Sequence, residues 1–370
     1  MGAVSGRGSG YHALLTCVME AIERENSCYH GNESVCRLSS FPAAKVVWPD
    51  QLNLVSAKQQ AAAETWNRQV AEPHRLPACV ARDPGIDWLA AQSIVSGETV
   101  LVPAAFALLR HPAAAATGLA MPDSSGCAAG ESLEDAAIRA FLEQVERDAV
   151  SIWWYNRLAR PEIDPSMLDD ALIDDMIAWS KARNRPVVLL DLTHDVGIPV
   201  VAAIAADAEG RVPSFGFAAA ASYQAAALGA LGELLQFEVS QQLRRQRDLH
   251  AVPLHWLDWA VTADCRAEPH LVPKGKVSAA ALKAKDLDSL DLSFCAESCR
   301  RLGLDLLMLD LTRVEIGIPT GIPVVRMVVP GLRPLWPRFA EGRLYQVPYR
   351  LGWVTQPLQE DALNPVPILY

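Results

Sequence analysis

The stretch "PVVLLDLTHDVGIPVVAAIA", residues 186–205, places an apolar run, the tripeptide Asp191-Leu192-Thr193, a short Gly-containing link and a second apolar run in succession. β-branched runs on either side of a link too short for a crossover helix predict a β-hairpin. The same plan returns at 304–329, "LDLLMLDLTRVEIGIPTGIPVVRMVV", where Asp310-Leu311-Thr312 takes the place of the first tripeptide. Two copies of one plan indicate an internal repeat. A third hairpin is expected in "IDWLAAQSIVSGETVLVPAAF", residues 86–106, with Gly97 in its turn.

Each repeat is preceded by a helical pattern. "SMLDDALIDDMIAWSKARN" (166–184) has amphipathic spacing, and "SFCAESCRRLG" (293–303) ends at a glycine where a helix C-cap is expected. Hairpins alternating with covering helices predict an α+β fold with α/β layering, built from pseudo-repeated hairpin and helix units. With no low-complexity linker in view, residues 1–370 are expected to form a single domain, ending in a Pro-containing tail at 360–370.

Three further segments, at about 11–26, 133–155 and 222–240, read as helices too apolar for a surface position and are expected to be buried. All three carry acids. Glu20 and Glu23, Glu143 and Glu146, and the mixed pair Glu233 and Gln236 each stand at i and i+3, so each pair projects from one helix face. Arg24 and Arg147 follow Glu20 and Glu143 by four residues, which permits ordinary ion pairs and leaves Glu23 and Glu146 without a partner. The other reading is that the acids converge on divalent cations, most simply Mg2+ holding nucleotide phosphates, because Mg2+ takes hard oxygen ligands completed by phosphate and water. No P-loop and no GxGxxG after a strand is present. "GRGSG" (6–10), ahead of the first helix, offers backbone N–H groups of the kind that receive phosphate.

Composition narrows the partners. The chain has 370 residues, 51% of them hydrophobic, and a net charge of −10 with acids and bases interspersed, so nothing resembles a phosphate-neutralising basic stripe. Nucleic acid is excluded as a main partner. No apolar run is long enough to span a bilayer and no signal-peptide pattern opens the chain, so a cytoplasmic location is expected. The eight cysteines include no CxxC pair and are expected to be reduced; Cys295 and Cys299 read as buried small hydrophobes rather than metal ligands.

"SSGCAAGESLEDAAIRAFLEQVERDA" (124–149) closely resembles the hallmark segment of the YcaO family, small residues, Gly and Ala-Ala-Gly followed by a helix ending Glu-x-x-Glu-Arg-Asp-Ala. "GRGSGYHALLTCVMEAIER" (6–24) is similar to the family's earlier Gly-rich segment and first Glu-x-x-Glu-Arg. "ALGALGELLQ" (227–236) and "GIPVVRMVVPGL" (321–332) resemble later segments. Departures are Arg7 for a usual Lys, Thr16 for Ser, Glu131 for a common Asn, and Ala128 where Ser occurs.

The resemblance implies a YcaO-like fold and an ATP-dependent cyclodehydratase acting on backbone amides of a ribosomally made precursor peptide. Cys, Ser or Thr side chains would close azoline rings with ATP and Mg2+ as cofactors. Matched position by position, it implies Glu20, Glu23, Glu143, Glu146 and Glu233 as metal ligands and Thr16, Arg24, Asp135, Arg147, Gln236 and Arg326 as nucleotide contacts. It implies that the C-terminal Pro365, Pro367 and Tyr370 reach the catalytic centre. A separate leader-peptide-binding partner is expected, since the catalytic unit accounts for nearly the whole chain, and a flavin dehydrogenase and a homodimer are compatible with the family. Members have a further stretch before the Gly-rich segment, so an opening at "MGAVSGRGSG" implies one open edge of the nucleotide site. Thioamide formation and a catalytically silent scaffold that binds a partner are the alternative readings.

Overall fold

A computed structural model describes residues 10–41, 45–69, 75–77, 85–114, 123–246, 259, 262–313 and 321–368. In chain order its helices are α1 Tyr11–Asn26, α2 Pro49–Asn53, α3 Ala57–Gln69, α4 Ala104–Ala107, α5 Leu133–Tyr155, α6 Ala171–Ala182, α7 Tyr223–Gln246, α8 Ala279–Lys285, α9 Leu292–Arg301 and α10 Arg343–Arg350. The strands are β1 Lys45–Val46, β2 Trp88–Ser93, β3 Thr99–Pro103, β4 Cys127–Ala129, β5 Val187–Asp191, β6 Val200–Ala205, β7 Ser214–Ala219, β8 Leu307–Asp310 and β9 Val324–Val328. Helices and mixed sheets interleave as expected for α+β. The chain divides into two compact units, with residues 1–144, 290–332 and 338–341 in the first and 145–289, 333–337 and 342–370 in the second.

The first unit is built on a six-stranded sheet ordered β1-β3-β2-β8-β9-β4, antiparallel except where β1 runs parallel to β3. Two of the expected hairpins are here. β2 pairs with β3 across a turn holding Gly97 at φ 75°, a left-handed conformation that suits glycine, and β8 pairs with β9. Val100, Val102, Leu307, Leu309, Val324 and Val328 form one apolar cluster, on which Met19 and Ile22 of α1 pack.

Helix α1 departs from expectation. Tyr11 is 74% exposed, Leu14 61% and Val18 44%, so its first two turns are not buried. Its sequence is apolar on two faces, and only the one carrying Met19 and Ile22 meets the sheet. Helix α9 behaves as read: Asp291 caps its start through Phe294 N–H at 2.7 Å, Cys295 and Cys299 are buried, and Gly303 follows its end at φ 69°.

The second unit holds the antiparallel sheet β5-β6-β7 with α7 laid across it. The approach is close enough to explain the alanines and glycines of α7. A side chain on Gly216 of β7 would stand 2.1 Å from the carbonyl of Ala230 and 2.3 Å from the amide of Leu234. Tyr223, Ala226, Ala227, Ala230, Leu231 and Leu234 line the buried face, while Val239 is exposed. The helix is thus buried along one stripe rather than all round. Asp170 caps α6 through the N–H groups of Leu172 and Ile173.

The repeat extends to individual bonds. Asp191 accepts Thr193 N–H at 2.9 Å and Asp310 accepts Thr312 N–H at 2.9 Å. Thr193 Oγ1 then accepts Val200 N–H at 3.1 Å, and Thr312 Oγ1 accepts Val324 N–H at 3.0 Å. Each Asp-Leu-Thr is therefore an Asx-type turn that ends one strand and starts the next.

Candidate nucleotide and metal site

In the first unit the chemistry gathers around α1, β4 and the start of α5. Glu20 and Glu23 lie one turn apart on α1, and Glu20 takes the i, i+4 ion pair with Arg24 at 2.8 Å that the spacing predicts. Glu23 instead accepts the backbone N–H of Ala129. Burial, then the neighbouring charges of Glu143 and Glu20, push its carboxyl up to about 8 despite that bond and Arg24. Glu20 and Glu143 thus both act on the Glu23 carboxylate.

The loop before α5 aims Glu143. Its Oε2 accepts Gly126 N–H at 2.8 Å. Gly126 has φ 81°, and a Cβ there would meet Met327 O and Gln144 Nε2 at 2.4 Å, so no other residue fits without displacement. Asp135, in the first turn of α5, accepts Glu131 N–H and the Nε–H of Arg139, both within 3.0 Å. Its present bonds belong to the helix start.

Arg326 is 2% exposed on β9, opposite Cys127 of β4. Its Nη1 donates to Ala107 O at 3.3 Å and reaches Cys127 Sγ at 3.6 Å, and its Nε has no partner among the described residues. Burial raises the Cys127 thiol to about 11, with Glu23 and Glu143 adding to the rise and Arg326 opposing it. Arg326 and the two acids therefore act on the same buried thiol. Thr16 and Arg24 lie on α1 with the acids.

In the second unit Glu146 and Arg147 are buried and paired, Arg147 Nη1 to Glu146 Oε1 at 2.5 Å. Glu146, which the i, i+4 spacing leaves without a partner, therefore has one in its immediate neighbour Arg147. Glu233 on α7 accepts Phe217 N–H at 2.6 Å, and Gln236 follows one turn on. Glu143 and Glu233 share one device: each carboxylate is held by the backbone amide of a neighbouring segment, Gly126 for one and Phe217 for the other.

Asp148 was not legible as a special residue. It is fully buried and accepts Arg333 N–H at 2.8 Å, faces His194 Nε2 at 3.1 Å, and takes Arg343 through Nε and Nη2, the latter at 2.6 Å. Arg343 above all, with His194, overcomes burial and holds the Asp148 carboxyl far below the usual carboxylate range. Arg343 also pairs with Asp195 at 2.7 Å. The motif "ERDA" thus sets a buried Glu146–Arg147 pair beside the buried anchor Asp148.

The tail packs in the second unit through residue 368. Asn364 N–H donates to Tyr155 O at 2.8 Å and Trp154 Nε1 donates to Val366 O at 2.7 Å, both partners lying in the last turn of α5. Leu363, Asn364 and Ile368 are buried, and Pro365 is exposed. Tyr370 and Arg7 lie outside the described residues, as does most of "GRGSG".

Among the described residues no three His, Cys, Asp or Glu side chains stand in metal-holding geometry, and no helix is long and apolar enough to cross a membrane. The donor set of the first unit nevertheless suits a hard cation. Glu20, Glu23 and Glu143 offer carboxylate oxygens, and Mg2+ needs only one or two such ligands beside phosphate and water.

Residues 5–333 match the family model described as YcaO cyclodehydratase, binding ATP and Mg2+. An uncharacterized protein of Methanothermobacter thermautotrophicus is 29% identical over 267 residues, 70% of this chain and 68% of that protein. A heterocyclase solved in complex with substrate and cofactor superimposes with a TM-score of 0.88 at 30% identity, over 99% of this chain and 49% of that one. The heterocyclase TruD gives a TM-score of 0.83 at 31% identity, over 96% of this chain and 50% of that one. The chain therefore spans about half the length of the heterocyclases it matches.

Proposed function

From the premise that this chain belongs to the YcaO family, whose members bind ATP and Mg2+, we propose that it activates backbone amides of a ribosomally made precursor peptide and closes Cys, Ser or Thr side chains into azolines. The observation that carries this reading is the Glu20, Glu23 and Glu143 cluster, in which burial first and then the two neighbouring carboxylates push the Glu23 carboxyl up to about 8. Acids brought together at a buried position are a favourable arrangement for a divalent cation, whose charge offsets their repulsion.

Glu20, Glu23 and Glu143 of the first unit, and Glu146 and Glu233 of the second, are the proposed Mg2+ ligands. Thr16, Arg24, Asp135, Arg147, Gln236 and Arg326 are the proposed nucleotide contacts. When bound, Mg2+ with ATP neutralises charge on a transferring phosphoryl group and makes it available to an amide oxygen. The peptide side chain adds to the preceding carbonyl carbon, and the oxygen leaves as phosphate, so each ring removes one water overall. The chain's own part is placement: Gly126 and Phe217 amides fix Glu143 and Glu233, and the raised carboxyl of Glu23 gives up its proton when a cation arrives. The tail, including Pro365, Pro367 and Tyr370, is proposed to exclude water from the activated amide. A leader-binding protein and a flavin dehydrogenase that oxidises azolines are the proposed partners.

The deciding experiment is mass spectrometry of a Cys/Ser/Thr-rich precursor peptide after incubation with the chain, ATP and Mg2+. Loss of one water per ring is expected. An unmodified peptide in the presence of a competent leader-binding partner overturns the assignment.

A further inference from the structure

We infer that the second unit carries a carboxylate-binding exosite, formed by Arg183 and Arg185 around Glu238, that takes an acidic segment of a peptide. The choice of a peptide as carrier rests on the reading above. The site itself rests on a charge count.

Glu238 is 8% exposed near the end of α7, and a buried carboxylate needs a partner. Arg185 already supplies one. It bonds Glu238 through Nε and is pinned by Nη2 to Val212 O at 3.0 Å and Ser214 Oγ at 2.8 Å. Arg183 adds a second guanidinium, its Nη1 3.0 Å from the other carboxylate oxygen. Among the described residues two guanidinium groups thus face one carboxylate, an excess of positive charge in a protein whose net charge is −10.

The excess lies in a cavity. Arg183, Arg185 and Glu238 line a cleft of about 340 Å³ together with Gln241 and Gln242. That volume stands at the low end for ligand pockets, suited to a carboxylate or phosphate group and small for a nucleotide. Arg183 lies over the ring of Trp179, 4.2 Å from its centroid. Stacking fixes the guanidinium plane while its N–H edge stays open to bidentate contact, and among the described residues only Nη1 is engaged. Trp179 is itself 52% exposed.

The aromatic ring favours a peptide over a free oxyanion. A carboxylate on a peptide brings apolar side chains to Trp179 and backbone groups to the amides of Gln241 and Gln242; inorganic phosphate uses neither. The site is also distinct from the acid-bearing face of α7. Glu238 follows Glu233 by five residues, which turns it by about 140° around the helix.

The test measures binding to the full chain without ATP. The probes are a capped hexapeptide with two glutamates and two leucines, its glutamine counterpart, and inorganic phosphate. The glutamate peptide is expected to bind about tenfold more tightly than the glutamine peptide, with the advantage shrinking as salt is added. Arg183→Gln is expected to abolish the preference and Arg183→Lys to keep part of it; Arg185 still neutralises Glu238, and thermal melting checks the fold. Equal binding of both peptides, an unchanged preference in Arg183→Gln, or phosphate binding as tight as the glutamate peptide overturns the proposal. ATP turnover followed in parallel reads the proposed function separately, since peptide preference is measured whether or not nucleotide is hydrolysed.

Discussion

Glu143 accepts the amide N–H of Gly126 at 2.8 Å, so a loop glycine aims the acid that crowds Glu23. The bond uses only one oxygen and does not need the charge. Glu143→Gln keeps an acceptor for Gly126 and removes the repulsion. The apo variant should therefore melt at or above the wild-type temperature, while Mg2+-dependent ATP turnover falls by about a hundredfold or more. Retained turnover would remove Glu143 from the proposed ligand set.

Gly126 itself should tolerate no side chain. Alanine there adopts a left-handed backbone and meets Met327 O and Gln144 Nε2 at 2.4 Å. Gly126→Ala is expected to lose about 1–3 kcal/mol of stability by denaturant titration, together with ATP binding. A variant as stable as wild type would mean that the loop relaxes freely.

His270 sets a pH dependence. Its ring is wholly buried between Trp153 and Trp154, with centroids at 5.6 and 4.8 Å, and neither ring nitrogen has a hydrogen-bond partner among the described residues. Burial, aided by the charge of Arg157, lowers its pKa to about 3, with Glu268 the nearest acid at 3.8 Å. The unfolded chain binds a proton near 6.5 that the folded chain refuses, so this contribution is intact above 6.5 and is lost as pH falls towards 3. Between pH 7 and pH 5 it amounts to about 2 kcal/mol. His270→Phe keeps the aromatic packing and should flatten that slope in urea titrations; an unaltered slope would show that other groups cause it.

Asp148 and Arg343 are separated by 195 positions yet make a buried, multiply bonded pair. Asp148→Asn leaves Arg343 sharing only Asp195 and should destabilise the second unit by about 3 kcal/mol or more. Urea titration followed by tryptophan fluorescence checks it. Replacing both members, Asp148→Asn with Arg343→Met, should recover part of the loss; no recovery would mean that Asp148 acts through Arg333 or His194.

That pair also marks where reading the chain ran out. Hairpins, helix spans and the doubled Asp-Leu-Thr turns follow from local periodicity and turn chemistry, which neighbouring residues decide. The acids of α1, α5 and α7 were visible because charge is unusual on apolar helices. Whether Arg147 turns to Glu143 or Glu146, which face of α1 is covered, and which distant arginine meets Asp148 depend on tertiary packing that spacing does not encode. The cleft at Glu238 was hidden for the same reason, since Arg183 and Arg185 meet a residue more than fifty positions away.

Trp154 Nε1 donates to Val366 O, and Asn364 bonds Tyr155 O through its N–H, Trp154 O through Nδ2 and Val366 N–H through Oδ1. The tail is thus held by backbone polarity as well as by burial of Leu363 and Ile368. Two prolines fix φ at 365 and 367 and remove donors that would otherwise need partners. This stretch is therefore an ordered part of the second unit, clamped to the last turn of the helix that bears Glu143 and Glu146. Trp154→Phe deletes one buried donor and should cost about 1–2 kcal/mol while loosening Val366. Deleting 364–370 should leave Mg2+-dependent ATP binding within about twofold of wild type and sharply reduce ring formation, because water then competes for the activated amide. A deletion variant that modifies peptide at the wild-type rate would reduce the tail to a structural clamp, and one that loses ATP binding would place it in the nucleotide site itself.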